Sequence, residues 1–112
     1  MRLVIIESPY AGDTEENVAY ARAAVRDSLA RGEAPIASHL LYTQPGVLDD
    51  AQPAERRLGI AAGLAWGCVA EATVVYADLG VSAGMEQGIH DANAGGRQVE
   101  FRSLRNHGET HG

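Results

Sequence analysis

The residues best suited to chemistry fall in two short stretches, DLGVSAGMEQG at 78–88 and SPYAGD at 8–13. In the first, Gly80, Gly84 and Gly88 surround Glu86 where a helix begins. Gly80 and Gly84 let the backbone approach a ligand closely, and Ser82 offers a hydroxyl near the helix start. Glu86, about one turn in, has the chemistry to attack an electrophilic carbon or to act as a base. The bland reading is an ordinary first-turn carboxylate favoured by the helix dipole. Asp78 suits either pairing with a ligand hydroxyl or capping the turn. In the second stretch, Ser8 and the backbone donors ahead of a helix near Thr14 are placed to hold an anion. Tyr10 has an aromatic face for stacking on a base, and a tight turn with Tyr10 partly buried fits the same pattern.

Other reactive patterns are missing. SPYAGD lacks the Gly-Lys-Ser/Thr ending of a Walker A loop and is not a GxGxxG fingerprint. No GxSxG elbow is present. His39 follows a strand, His90 sits in a helix, and His107 and His111 lie near the end; their spacing fits no metal site, and Cys68 stands alone. The expectation is no metal and no cofactor, with His39 and His90 structural or pocket-lining. Arg56 and Arg57 suit a phosphate site or plain surface exposure equally.

Composition narrows the partners. With a net charge of −6 and nine scattered basic residues, all arginine, the chain lacks the cationic footprint of a nucleic-acid binder. One cysteine excludes an internal disulfide framework and suits a reducing cytoplasm. No segment approaches the ~20 apolar residues that span a bilayer, and the apolar run after Met1 is too short for a signal peptide. The expectation is a soluble, cytoplasmic, single-domain protein of 112 residues. The chain has one Trp and one Phe, so a thin core is expected, and with it a homo-oligomer that extends the core across an interface.

Strands and helices alternate along the chain. RLVIIE reads as a buried strand. Asp13 and Glu16 mark a capped helix that runs to Arg31 and stops at Gly32. APIASHLL reads as a second strand and YTQPGVLDDAQPAE as a long exposed loop. AERRLGIAAGLAWGCVAEA reads as a helix whose Gly59, Gly63 and Gly67 leave one face bare for close backbone packing. ATVVYAD is a third strand, residues 83–94 a helix ended by Gly95 and Gly96, and RQVEFRSL a last strand. This order predicts an α/β fold, a small flavodoxin-like or Rossmann-like three-layer sandwich with a parallel sheet of about four to five strands. The domain is expected over 1–104, with a frayed tail over 105–112. Ligands in such folds bind at the carboxyl ends of the strands, where ESPYAGD, HLLYTQPG and DLGVSAGME all fall.

VIIESPYAGDTEENVAYAR and ADLGVSAGMEQGIHDA resemble two motifs of the nucleoside 2-deoxyribosyltransferase-like superfamily: its "SPY-G" opening, and its loop of small residues before a Glu and a following G-x-x-x-A. The resemblance runs from about Arg2 to Leu104 and is closest to small phage and bacterial members. It implies cleavage of the N-glycosidic bond of a 2′-deoxynucleoside or nucleotide, with the sugar passed to another base or to water. It places the nucleophile on Glu86, forming a glycosyl-enzyme ester. It puts Tyr10 beside sugar and base, and Ser8, Pro9 and Gly12 in the pocket wall. Where the nucleotide-hydrolysing branch has a phosphate-binding Ser, this chain has Gly80, with Ser82 two residues on. The family's Asp before the third strand has no clear counterpart, the acidic residues there being Glu55 and Glu71. The implied partner is a small nucleoside or nucleotide; the alternative is a non-catalytic nucleotide-binding module.

Overall fold

The computed structural model describes residues 1–105; the expected tail and the histidines at 107 and 111 lie outside them, apart from Arg105. Four strands form one parallel sheet: β1 (Arg2–Glu7), β2 (Glu33–Ile36), β3 (Ala72–Tyr76) and β4 (Gln98–Arg102), in the order β2-β1-β3-β4. The helices are α1 (Thr14–Ala30), a short α2 (Ser38–Leu41), α3 (Pro53–Ala65) and α4 (Ala83–Ala94). The sheet is α/β and parallel, as the alternation predicts, with four strands.

The period of two along each strand sorts the side chains. Val4, Ile6, Ala72, Val74 and Tyr76 point to one face and form the core with Ala24 of α1, against which Tyr20 and Val25 also pack. The alternate residues Ile5, Glu7, Thr73 and Val75 point to the other face, where the register pairs Ile5 with Thr73 and Glu7 with Val75. Helix α4 covers that face through buried Met85, Gly88 and Ala92. Every residue of β3 is buried, as a central parallel strand requires.

Local signals set most boundaries. The Asp13 side chain accepts the Glu16 N–H at the start of α1, and Gly32 takes the left-handed φ of +84° just after its end. Ser82 caps α4 by accepting the Met85 N–H.

Two expectations need correction. The strand read over APIASHLL ends at Ile36, and Ser38–Leu41 is a helical turn instead. The β-branched character stops at Ile36, and His39, Leu40 and Leu41 have no such preference for extended backbone. The helix read over 54–72 begins at Pro53, ends at Ala65 and passes into a 3-10 turn over Trp66–Cys68. The bare face of α3 packs closely: a Cβ at Gly63 would meet Ser38, and one at Gly67, in the 3-10 turn, would meet the guanidinium of Arg97.

Candidate functional site

A cavity of about 280 Å³ opens at the carboxyl end of β1, on the sheet face covered by α4. Its walls come from the segment after β1 (Ser8, Tyr10, Ala11), from α2 and the loop after it, from one side of α3 between Glu55 and Leu64, and from α4. Its lining is mostly apolar with a few polar groups converging on it, which is the usual makeup of a small-ligand site.

Glu7 is one of the carboxyl groups that line the cavity. It closes β1 with the same parity as Ile5, so it points to the α4 face rather than into the α1 core. Gly88 makes room for it, since a Cβ there would overlap the Glu7 carboxyl group. Burial drives the Glu7 pKa up to about 8, Arg97 opposes the rise, and Asp91 adds to it. Glu7 is therefore mostly protonated at neutral pH. Behind it, Arg97 donates to Asp91 at 3.0 Å, to Thr73 Oγ1 at 2.9 Å and to the Gly67 carbonyl at 3.2 Å. This guanidinium ties β3, α4 and the turn after α3 into one wall.

Opposite lies a second polar pair. Ser8 Oγ is 2.6 Å from His39 Nε2, and both residues line the cavity. Burial holds the His39 pKa down at about 4, so the imidazole is neutral at pH 7. At the rim, Arg56 pairs with Asp50 at 2.9 Å, and Glu55 accepts the Asp49 N–H at 3.1 Å.

Of the residues that the sequence marks for binding or catalysis in the two motif stretches, Ser8, Tyr10, Ser82 and Gly84 line the cavity, as do His39 and Arg56. Pro9 is buried beside it, and Gly12 is exposed in the turn with φ +99°. Gly80 is exposed, with φ +91°, in the turn before α4. Asp78 belongs to the other side of the sheet. Its carboxylate accepts the Tyr20 hydroxyl at 2.6 Å, the Leu104 N–H at 2.8 Å and the Ser103 hydroxyl.

Glu86 is exposed and is not among the lining residues. Gly84, Gln87, Gly88 and Asp91 line the cavity at i, i+3, i+4 and i+7, one stripe of the helix, and Glu86 falls off that stripe. Glu55 reaches the rim, whereas Glu71 accepts the Leu3 N–H at 2.7 Å. Glu7 both ends RLVIIE and opens ESPYAGD, and no local motif gives it a role, because its direction toward α4 is set by strand parity in the sheet. The available signal was a carboxylate ending an apolar strand at its carboxyl edge. His39 was expected as structural or pocket-lining, while its pairing with Ser8, across 31 positions, has no local motif.

A family model, described as a domain of unknown function (DUF7768), matches residues 2–102. The chain belongs to the DUF7768 family. No curated protein matches this DUF7768 chain significantly. Among solved structures, it resembles a 2-deoxyribosyltransferase from Bacillus psychrosaccharolyticus with a TM-score of 0.56 and 17% identity, over 90% of this chain and 72% of that one. At that identity the likeness is one of fold: this DUF7768 member and the transferase share a parallel α/β architecture.

Proposed function

We propose that the protein binds a nucleoside or nucleoside 5′-monophosphate in this cavity and cleaves its N-glycosidic bond, with the base released or exchanged. The observation that carries the reading is the Glu7 carboxyl, seated against Gly88 in a cavity of small-ligand size where burial pushes its pKa up to about 8. The fold shared with a 2-deoxyribosyltransferase supports it. A carboxyl that keeps its proton to about pH 8 is matched to general acid catalysis at neutral pH. Its proton goes to the departing nitrogen of the base as the C–N bond breaks. Tyr10 lines the same space and supplies an aromatic face for the base.

The family resemblance assigns the nucleophile to Glu86, whose loop gives Ser82 and Gly84 to the cavity wall; for that role its side chain has to turn toward the cavity from its exposed position. Attack at the anomeric carbon would split one displacement into two easier ones through a glycosyl ester. The position of Glu86 off the cavity-facing stripe favours a second reading, in which the same pocket binds a nucleotide without turning it over.

The test incubates the protein, Glu7→Gln and Glu86→Gln with a panel of 2′-deoxynucleosides and their 5′-monophosphates. Free base is read by chromatography and binding by calorimetry. Base release that falls at least about 100-fold in both variants supports the enzyme as proposed. Release that survives Glu86→Gln but not Glu7→Gln passes the attack to water. Binding with no release selects the second reading, and neither binding nor release rejects both.

A further inference from the structure

We propose that Ser8 is a nucleophile activated by His39, able to capture a small activated acyl or sulfonyl group inside the cavity. This does not depend on the nucleoside reading. Ser8 directly follows β1, and its Oγ lies 2.6 Å from His39 Nε2. That is the separation a nucleophile and its base require. Ser8 is 5% exposed, and both it and His39 line the cavity, so the cavity is the route by which an electrophile reaches the hydroxyl. His39 stands on α2, where its own carbonyl accepts the Thr43 hydroxyl at 2.6 Å, which fixes the turn that carries the ring.

Two further features suit the chemistry. With Nδ1 carrying the ring proton, Nε2 accepts from the Ser8 hydroxyl, and desolvation keeps the ring neutral for that role. Helix α4, 12 residues long, opens its first turn onto the same cavity through Ser82, Ala83 and Gly84. The first N–H groups of a helix lack carbonyl partners within it, so this end favours a developing oxyanion.

The step balances within the site. Ser8 Oγ bonds to the acyl carbon as His39 Nε2 takes the hydroxyl proton. The bond to the leaving alkoxide or aryloxide breaks, and the leaving group departs with that proton. Water then attacks the acyl-serine; one of its protons passes to His39 and returns to Ser8 Oγ. With a sulfonyl fluoride the O–S bond forms, fluoride leaves, and the proton goes to solvent through His39, leaving a stable adduct. A base as weak as this imidazole makes the first step slow, so strongly activated electrophiles are the right probes.

The experiment treats the full chain with phenylmethanesulfonyl fluoride and, separately, with 4-nitrophenyl acetate. Intact mass and peptide mapping read the products, and Ser8→Ala and His39→Gln are run beside the wild type. The expected result is one sulfonyl adduct, on Ser8, absent in Ser8→Ala. Its formation should slow about 100-fold in His39→Gln, the low end for removal of a general base. The acetate should leave an acetyl group on the same residue. Thermal melting confirms that His39→Gln is folded, and His39→Asn replaces it if it is not. No adduct on Ser8 in the wild type, labelling confined to other residues, or an unchanged rate in both histidine variants would overturn the proposal.

Discussion

Glu7 carries the account at the scale of single residues. Its folded pKa lies near 8, above the ordinary carboxylate value of 4.5, because burial penalises the charged form. The folded state therefore holds a proton that the unfolded chain has lost between those pH values. Stability linked to Glu7 is fully present below about pH 4.5 and declines as pH rises through 8. Glu7→Gln removes this dependence. Denaturant titrations should find variant and wild type matched near pH 5 and the variant more stable by roughly 1–3 kcal/mol at pH 9. Equal stabilities at both pH values would contradict the buried acid. Gly88 offers a complementary test. Gly88→Ala gains up to about 1 kcal/mol in helix propensity but pushes the Glu7 carboxyl from its place. The melting temperature should hold nearly steady while nucleoside binding weakens at least about tenfold.

At the scale of elements, two periodicities decide which side chains enter the cavity. Along β1 and β3 the period of two sends Glu7 to the α4 face, while Asp78, beyond the end of β3, turns to α1 and pairs with Tyr20. Burial alone would raise the Asp78 pKa, yet hydrogen bonds from Ser103, Tyr20, Leu104 and Arg105 hold it at about 2. Asp78→Ala should accordingly cost about 2–3 kcal/mol of stability and leave ligand affinity unchanged in calorimetry. A selective loss of affinity would return Asp78 to the binding site. Along α4 the stripe through Gly84, Gln87, Gly88 and Asp91 sets the wall, and Ser82→Ala should cost about 1 kcal/mol by uncapping it. The loops were legible because Gly, Pro and Ser mark turns directly, which is how Ser8, Tyr10, Ser82 and Gly84 were found. Glu7, Arg97 and the Ser8–His39 pair were not, because their roles depend on which face of the sheet they share. The second strand reads too long because no Gly or Pro separates Ile36 from the helical turn over Ser38–Leu41.

Over the whole molecule, buried charge divides between the two faces of the sheet. On the α1 face, Arg102 grips Glu33 through both nitrogens at 2.7 and 2.8 Å, and the Arg102 hydrogen bonds hold the Glu33 pKa at about 2. Glu33 and Asp78 stabilise the fold above the ordinary carboxylate range and lose that contribution as pH falls toward 2. Glu7 acts in the opposite sense on the alkaline side. Melting temperature against pH should therefore peak at about pH 4.5–5, where the two losses meet, and fall on both sides. A profile still rising from pH 7 to 9 would contradict the opposed placement. The fold is legible as a whole because strand and helix signals alternate cleanly and β3 is a compact run of β-branched and aromatic residues after Ala72. The geometry of the cavity is not, since it is assembled from residues as far apart in sequence as Ser8 and Arg97.

The central claim is that this cavity takes a nucleoside or nucleotide and that Glu7 protonates the leaving base. The most direct measurement is base release from 2′-deoxynucleosides and their 5′-monophosphates by wild type and Glu7→Gln, with binding followed in parallel by calorimetry. The account predicts release by the wild type, a loss of at least about 100-fold in Glu7→Gln, and ligand binding retained by the variant. Release at the same rate in Glu7→Gln, or a wild type that neither binds nor cleaves any member of the panel, would contradict it.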